Sequence, residues 1–204
     1  MRHPDVRMVR NGISIQQFYE VRRHRNQPIK PTIGWVGATN YRNNDLEQLR
    51  YWLPDFLEEH DLAFHHAGHN PEAPSFTEIT GVPERRVTTT PILPITTYAT
   101  GLAHFDIGLV PLSNGVFNRA KSNIKGLEYV AAGIPLVASD LPEYRTLHTA
   151  GMGTIARTPE EWVAALTALL DRKFRTQETR RQQALLVNES IEARQAEWQA
   201  VFAG

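Results

Sequence analysis

The feature that most constrains this chain is a run from residue 117 to residue 145, where a loop, a helix pattern, a tight turn and an apolar strand pattern follow one another. Ser122 is a favourable N-cap residue, so we expect a helix to begin near Lys121. Apolar residues recur behind it at helical spacing, at Ile124, Leu127 and Ala131. One face of this helix should therefore pack on a core while its amino end opens into the preceding loop.

The second half of the run predicts a buried strand. Gly133 stands where the helix should stop, and Pro135 cannot continue it. The apolar residues 136–138 that follow suit a strand covered on both faces, as in a parallel sheet.

Strand patterns recur through the rest of the chain and alternate with helix patterns. They fall at residues 32–37, 62–67, 86–90, 105–110 and 151–155. This alternation predicts an α/β fold: a single Rossmann-like, doubly wound parallel sheet with a C-terminal helical tail. Gly37 ends the first strand and is expected to form a wall of the ligand cleft, and Arg42 just beyond it is a candidate phosphate contact.

The amino end of the predicted helix is a candidate anion site, because unpaired N–H groups and the helix dipole favour negative charge there. Lys121 and Lys125 flank this end, and Glu128 is the lone acid on a mostly apolar helix.

As one ordered string, these residues resemble the donor-sugar motif of retaining glycosyltransferases of the GT-B fold and of the large family-4 type. The matching parts are Glu128, the turn at residues 132–135, the strand at residues 136–138 and the pair Ser139–Asp140. The resemblance implies that Glu128 holds the ribose of a nucleotide-sugar. It also implies that the backbone N–H groups of Ser122, Asn123 and Ile124 hold the pyrophosphate.

One position departs from the family pattern. A second Glu that contacts the transferred sugar is usual where this chain has Ala120. We therefore expect Lys121 and Lys125 to meet the phosphates or the sugar instead, and we treat these two lysines as the candidate catalytic groups.

Composition excludes several other classes of protein. The net charge is zero, which gives no indication of nucleic-acid binding, and cysteine is absent, which fits a cytoplasmic protein without disulfides. No apolar run is long enough to span a membrane. Three histidines, His65, His66 and His69, raise the question of a metal site. Neighbouring strand residues point to opposite faces, however, so we expect no metal and no cofactor other than the donor itself.

We expect three regions: a connecting arm at residues 1–30, a nucleotide-sugar-binding domain at residues 31–172 and a helical extension at residues 173–204. The resemblance implies half of a glycosyltransferase that transfers a sugar from a nucleoside diphosphate to an unknown acceptor. Two alternatives remain open, a non-catalytic nucleotide-sugar-binding or interaction module and one subunit of a split enzyme. A partner chain with the acceptor domain, or a homodimer, is possible in each case. In the extension, Trp198 and Phe202 can contact such a partner or cap the domain's own core.

Overall fold

A computed structural model describes residues 7–18, 21, 28–40 and 43–202. Its centre is a six-stranded parallel sheet in the order β3-β2-β1-β4-β5-β6. The strands are β1 Ile33–Val36, β2 Phe64–His69, β3 Val87–Pro91, β4 Ile107–Val110, β5 Leu136–Ser139 and β6 Thr154–Ala156. The predicted Rossmann-like, doubly wound sheet is thereby confirmed.

Helices connect the strands and cover both faces of the sheet. The α-helices are α1 Asn43–Glu47, α2 Leu53–Glu59, α3 Phe76–Thr80, α4 Val116–Arg119, α5 Ile124–Ala131, α6 Pro142–Thr149, α7 Pro159–Leu170, α8 Arg172–Leu185 and α9 Ile191–Phe202. Short 3₁₀ helices lie at Ile15–Phe18, Glu84–Arg86, Tyr98–His104 and Leu186–Glu189.

The four central strands, β1, β2, β4 and β5, are buried on both faces because successive side chains enter two different cores. In β4, Leu109 packs with α1, α2, α3 and α7, whereas Val110 packs with α5 and α6. In β5, Val137 and Ala138 divide in the same way. The near-continuous apolar sequence of these strands follows from this two-sided burial.

The order of the strands reverses between β1 and β4, which are parallel neighbours, and the buried Tyr129 lies at this point. The Tyr129 hydroxyl of α5 accepts a hydrogen bond from the Val36 amide (3.0 Å) and donates one to the Leu109 carbonyl (3.2 Å). Its ring lies against Gly108, where an added β-carbon would come within 2.3 Å of a ring carbon. Gly108 therefore leaves the space that the Tyr129 ring occupies.

Local residues set several of the helix boundaries. The helical segment between β1 and β2 divides into α1 and α2 at residues 48–52, ahead of Pro54, which lies in the first turn of α2 where a missing N–H costs nothing. Gly133 ends α5 as predicted, with a positive φ of 77°. The C-terminal helical extension consists of α8 and α9, separated by the 3₁₀ turn Leu186–Glu189.

The two terminal regions pack against each other. Ile13 is buried and forms a parallel bridge with Ser190, and the Trp198 indole N–H donates to the Arg10 carbonyl (3.1 Å). Phe18 is buried in the same core as Leu186. The described part of the arm at residues 1–30 thus contributes to the hydrophobic core.

Candidate functional site

An open cavity of about 540 Å³ lies at the carboxyl ends of β1 and β4, at the point where the strand order reverses. Ligands of doubly wound sheets bind at this position. Its lining combines backbone from both strand ends with side chains of α5 and of the loop before it: Trp35, Val36, Gly37, Ala38, Asn40, Asp45, Tyr98, Val110, Pro111, Leu112, Phe117, Lys121, Ser122, Ile124, Lys125 and Tyr144.

The amino end of α5 opens into this cavity, one turn later than predicted. The helix begins at Ile124, and its N-cap is Asn123 rather than Ser122, without a side-chain capping bond. The reason is that the Asn123 carboxamide donates to the Glu143 carbonyl (3.2 Å), while the Ser122 hydroxyl accepts from Asn11 (3.1 Å). The amide of Ile124 lies in the first turn of the helix, where helical geometry supplies no acceptor.

Lys125 is held at the end of β1. Its Nζ donates to the Val36 carbonyl (2.6 Å) and lies 4.9 Å from the centre of the Trp35 ring. Gly37 makes this arrangement possible, because a β-carbon there would approach the Trp35 ring to 2.8 Å and Lys125 Nζ to 3.4 Å. Gly37 also has a φ of 151°, a conformation that favours glycine. The predicted cleft wall, Gly37, and one predicted cation, Lys125, therefore both lie at the end of β1.

Lys121 is held from the other side of the cavity. Its Nζ lies 3.6 Å from Asp45 Oδ2 and 4.8 Å from the centre of the Phe117 ring. Asp45 is buried and accepts from the amide and hydroxyl of Ser113 (2.9 and 2.8 Å) and from Asn118 Nδ2 (2.5 Å). One carboxylate of α1 thus organises the connection between β4 and α5, residues 111–123.

Glu128 is half-buried behind this lining and is paired with a tyrosine. The Tyr98 hydroxyl donates to Glu128 Oε2 at 2.8 Å. Burial raises the pKa of Glu128, opposed by the Tyr98 hydrogen bond and by the charge of Lys125. Burial likewise raises the pKa of the Tyr98 phenol, so the phenol is the proton donor of the pair.

A second, smaller cavity of about 140 Å³ adjoins the first. It is mostly apolar and is formed by the ends of β1, β2 and β3: Val36, Gly37, Ala38, Ala67, Gly68, Pro91, Ile92, Leu93, Tyr98 and Gly101. Residues 36–38 and Tyr98 line both cavities.

The structure therefore brings together Gly37, Lys121, Ser122, Ile124 and Lys125, which all line the larger cavity. The predicted site residues Asn123 and Glu128 lie immediately behind them, and Arg42 lies outside the described residues.

Sequence reasoning missed Asp45, Asn118 and Tyr98. Asp45 and Asn118 are 73 residues apart, and Tyr98 and Glu128 are 30 apart, so no local spacing connects them. No local signal separates them from surface residues, and Asp45, for example, stands in the mostly polar stretch 43–48.

The histidines have structural roles. His65 pairs with the hydroxyls of Thr88 and Thr90 (2.8 and 2.7 Å), and His66 Nε2 donates to the Gly37 carbonyl (2.8 Å). Burial lowers the pKa of both rings to about 4. Among the described residues no group of three or more metal-ligating side chains converges.

None of the helices in the described ranges is both long and apolar enough to cross a lipid bilayer.

Comparison of the fold with solved structures finds glycosyltransferases of the GT-B type. One is a sucrose-phosphate synthase from Thermosynechococcus elongatus (TM-score 0.68, 16% identity, covering 97% of this chain and 52% of that one). WaaG, a glycosyltransferase involved in lipopolysaccharide biosynthesis, is similar (TM-score 0.67, 16% identity, 97% and 56%). So is a glycosyltransferase from Rickettsia africae (TM-score 0.68, 11% identity, 94% and 55%). The chain thus spans about half the length of these proteins and has one part of their fold.

Comparison with curated protein sequences finds no match. Comparison with protein families gives a match to the glycosyl transferases group 1 over residues 30–172, which is most of the chain. With the parallel sheet and the cavity at its switch point, this match identifies the chain as a member of the glycosyl transferases group 1 family.

Proposed function

We propose that this chain is the donor-binding half of a glycosyltransferase, which binds a nucleoside-diphosphate sugar and transfers the sugar to an acceptor held by another domain. The observation that carries the proposal is the cavity between β1 and β4, where the amino end of α5 and two positioned lysines converge. No general base for the acceptor is assigned to this chain.

The diphosphate fits the amino end of α5. The amide of Ile124 offers a hydrogen-bond donor at this end of the helix, and the ammonium groups of Lys121 and Lys125 add positive charge from two sides. When the bond to the sugar breaks, negative charge grows on the leaving diphosphate. Donors that are already fixed in place stabilise that charge without reorganisation, which lowers the barrier to transfer.

The remaining parts of the donor follow from this placement. The ribose lies toward Glu128, which supplies a carboxylate acceptor, and the base enters the smaller apolar cavity beyond residues 36–38. The sugar then lies toward Lys121 and the connection between β4 and α5. Ala120 is exposed and offers no polar group to it.

The acceptor side of the enzyme fits the outer face of α9. No residue of this helix is buried, and Ile191, Trp198 and Phe202 lie exposed along one side of it. A cleft of about 420 Å³ beside Trp198 also touches Ile124, so this face borders the donor site. We propose that an acceptor domain, in the same or a separate chain, covers this apolar face.

The test is calorimetric binding of UDP-, GDP- and ADP-sugars to the wild-type chain and to Glu128→Gln. A hydrogen bond to a charged acceptor contributes about 1.5–3 kcal/mol, so Glu128→Gln should weaken binding by roughly 10- to 150-fold. Glu59→Gln, an exposed acid at the end of α2, is the matched control and should bind like the wild type.

Donor hydrolysis measured on the same samples separates the enzyme from the alternative of a non-catalytic binding module. Ala120, in the place of the family's sugar-contacting acid, is the observation that favours the module. Tight binding with no turnover, with or without an acceptor-domain partner, would support that alternative. A wild-type chain that binds none of the three donors would contradict both functions.

A further inference from the structure

Tyr98 stands where the two cavities meet. Residues 36–38 and Tyr98 line both of them, and of these four only Tyr98 carries a polar side chain. A ligand that occupies both cavities therefore lies against Tyr98.

Glu128 does not line either cavity, whereas Tyr98 lines both and is bonded to it. The phenol donates its proton to Glu128 Oε2 at 2.8 Å. A hydroxyl oxygen that donates in this way keeps lone pairs that can accept another hydrogen bond. The pair therefore presents an acceptor to the cavity through Tyr98.

The Tyr98 ring is fixed by its surroundings. Tyr98 is the first residue of the 3₁₀ helix Tyr98–His104. Its side chain packs against the core that contains Leu102 and Leu127. The chain before it is tied to the N-terminal region, because Gln17 Nε2 donates to the Ile95 carbonyl (3.3 Å). A side chain held in this way suits the positioning of a ligand.

Resting on the proposed function, we propose that Tyr98 is a ribose-binding residue that relays the contact between the donor and Glu128. A ribose hydroxyl donates to the Tyr98 oxygen, and Tyr98 in turn donates to the carboxylate. The charge of Glu128 strengthens the first hydrogen bond through the second. Tyr98 thus selects a ribonucleotide donor over a molecule that lacks the hydroxyl.

The experiment compares nucleoside diphosphates with and without that hydroxyl. UDP, GDP and ADP are titrated into the wild-type chain, and the tightest binder is compared with its 2′-deoxy and 3′-deoxy forms. Removal of one hydrogen bond should weaken wild-type binding by about 2- to 13-fold for one of the two deoxy forms. Tyr98→Phe should bind the ribonucleotide more weakly by a similar factor and should no longer distinguish it from that deoxy form.

Two controls make the result specific. Tyr51→Phe removes the hydroxyl of an exposed tyrosine and should leave every affinity unchanged. Thermal melting of Tyr98→Phe establishes that the variant is folded, which is expected because only one oxygen is removed.

Three outcomes would overturn the proposal. Tyr98→Phe that weakens the ribonucleotide and its deoxy forms equally would show a merely structural role. Tighter binding by Tyr98→Phe would show that the phenol blocks Glu128. If Glu128→Gln weakens binding and Tyr98→Phe does not, this inference fails while the proposed function stands, whereas a wild-type chain that binds no nucleoside diphosphate removes both.

Discussion

Gly108 illustrates how single residues shape the point where the strand order reverses. It lies in β4 against the ring of Tyr129, whose hydroxyl joins the Val36 amide to the Leu109 carbonyl. A larger side chain at position 108 must push the ring away from these two backbone groups.

We expect Gly108→Ala to lower the free energy of unfolding by about 1–3 kcal/mol, the usual cost of overpacking a core. The added β-carbon would lie 2.3 Å from a Tyr129 ring carbon, so the ring or the strand must shift. Urea unfolding measures the effect. Gly115→Ala is the control, since nothing lies within 4 Å of its added carbon. Equal stabilities of the two variants would contradict this account of the packing.

Features that depend on residues close together in the sequence were predicted well. Gly133, Pro135 and the apolar residues 136–138 lie within a few positions of one another, and their turn and strand are confirmed. The N-cap was wrong because Asn123 and Ser122 bond to residues of other elements, Glu143 and Asn11. Such a choice depends on tertiary contacts that local spacing does not encode.

Among the elements, the connection at residues 111–123 depends on α1. Asp45 accepts hydrogen bonds from Ser113 and Asn118 and lies beside Lys121. The side of the cavity that holds Lys121 therefore depends on a helix that follows β1, and the order of the sheet places β1 beside β4.

Asp45→Ala should destabilise the protein by roughly 1–3 kcal/mol, the usual cost of leaving buried hydrogen-bond donors without an acceptor. Its donors lose their acceptor, and Lys121 loses a nearby charge. Asp55→Ala is the matched control, because Asp55 is also an acid in the first turn of a helix but is exposed. Chemical unfolding of the two variants tests the difference, and similar losses would show that Asp45 acts only through the helix dipole.

Element identities were largely predictable, and the way in which the elements assemble the site was not. Alternating strand and helix patterns indicated the doubly wound sheet, since β1, β4 and β5 are apolar enough for burial on both faces. Asp45 and Tyr98 enter the site from elements far along the chain, so their roles required the fold. The roles of Lys121, Lys125 and Glu128 in donor binding stay predictions until binding is measured.

For the whole molecule, the buried histidines predict how stability depends on pH. Burial lowers the pKa of His65 and His66 to about 4, below the ordinary value of 6.5. Below pH 6.5 the unfolded chain protonates these rings while the folded protein keeps them neutral. Their contribution to the free energy of unfolding is therefore complete above pH 6.5 and is lost as the pH falls toward 4. The raised pKa of Glu128 makes stability rise as the pH falls, which is the opposite effect. Glu128 is one group, however, whereas the histidines are two.

Melting temperature measured from pH 7.5 to pH 4.5 should therefore fall as the pH decreases. His66→Gln removes one of the two titrating groups and should make the slope shallower. A melting temperature that stays constant across this range, in both proteins, would contradict the assignment of two neutral buried rings.

Tyr129 also has a consequence for the molecule as a unit, because it follows Glu128 directly in α5. Tyr129 connects the ends of β1 and β4 through its hydroxyl, and Glu128 carries the carboxylate behind the cavity. The gap between β1 and β4 cannot widen or narrow without moving α5, and with it the carboxylate. The distance between the ends of β1 and β4 and the position of the Glu128 carboxylate are thus both set by the position of α5.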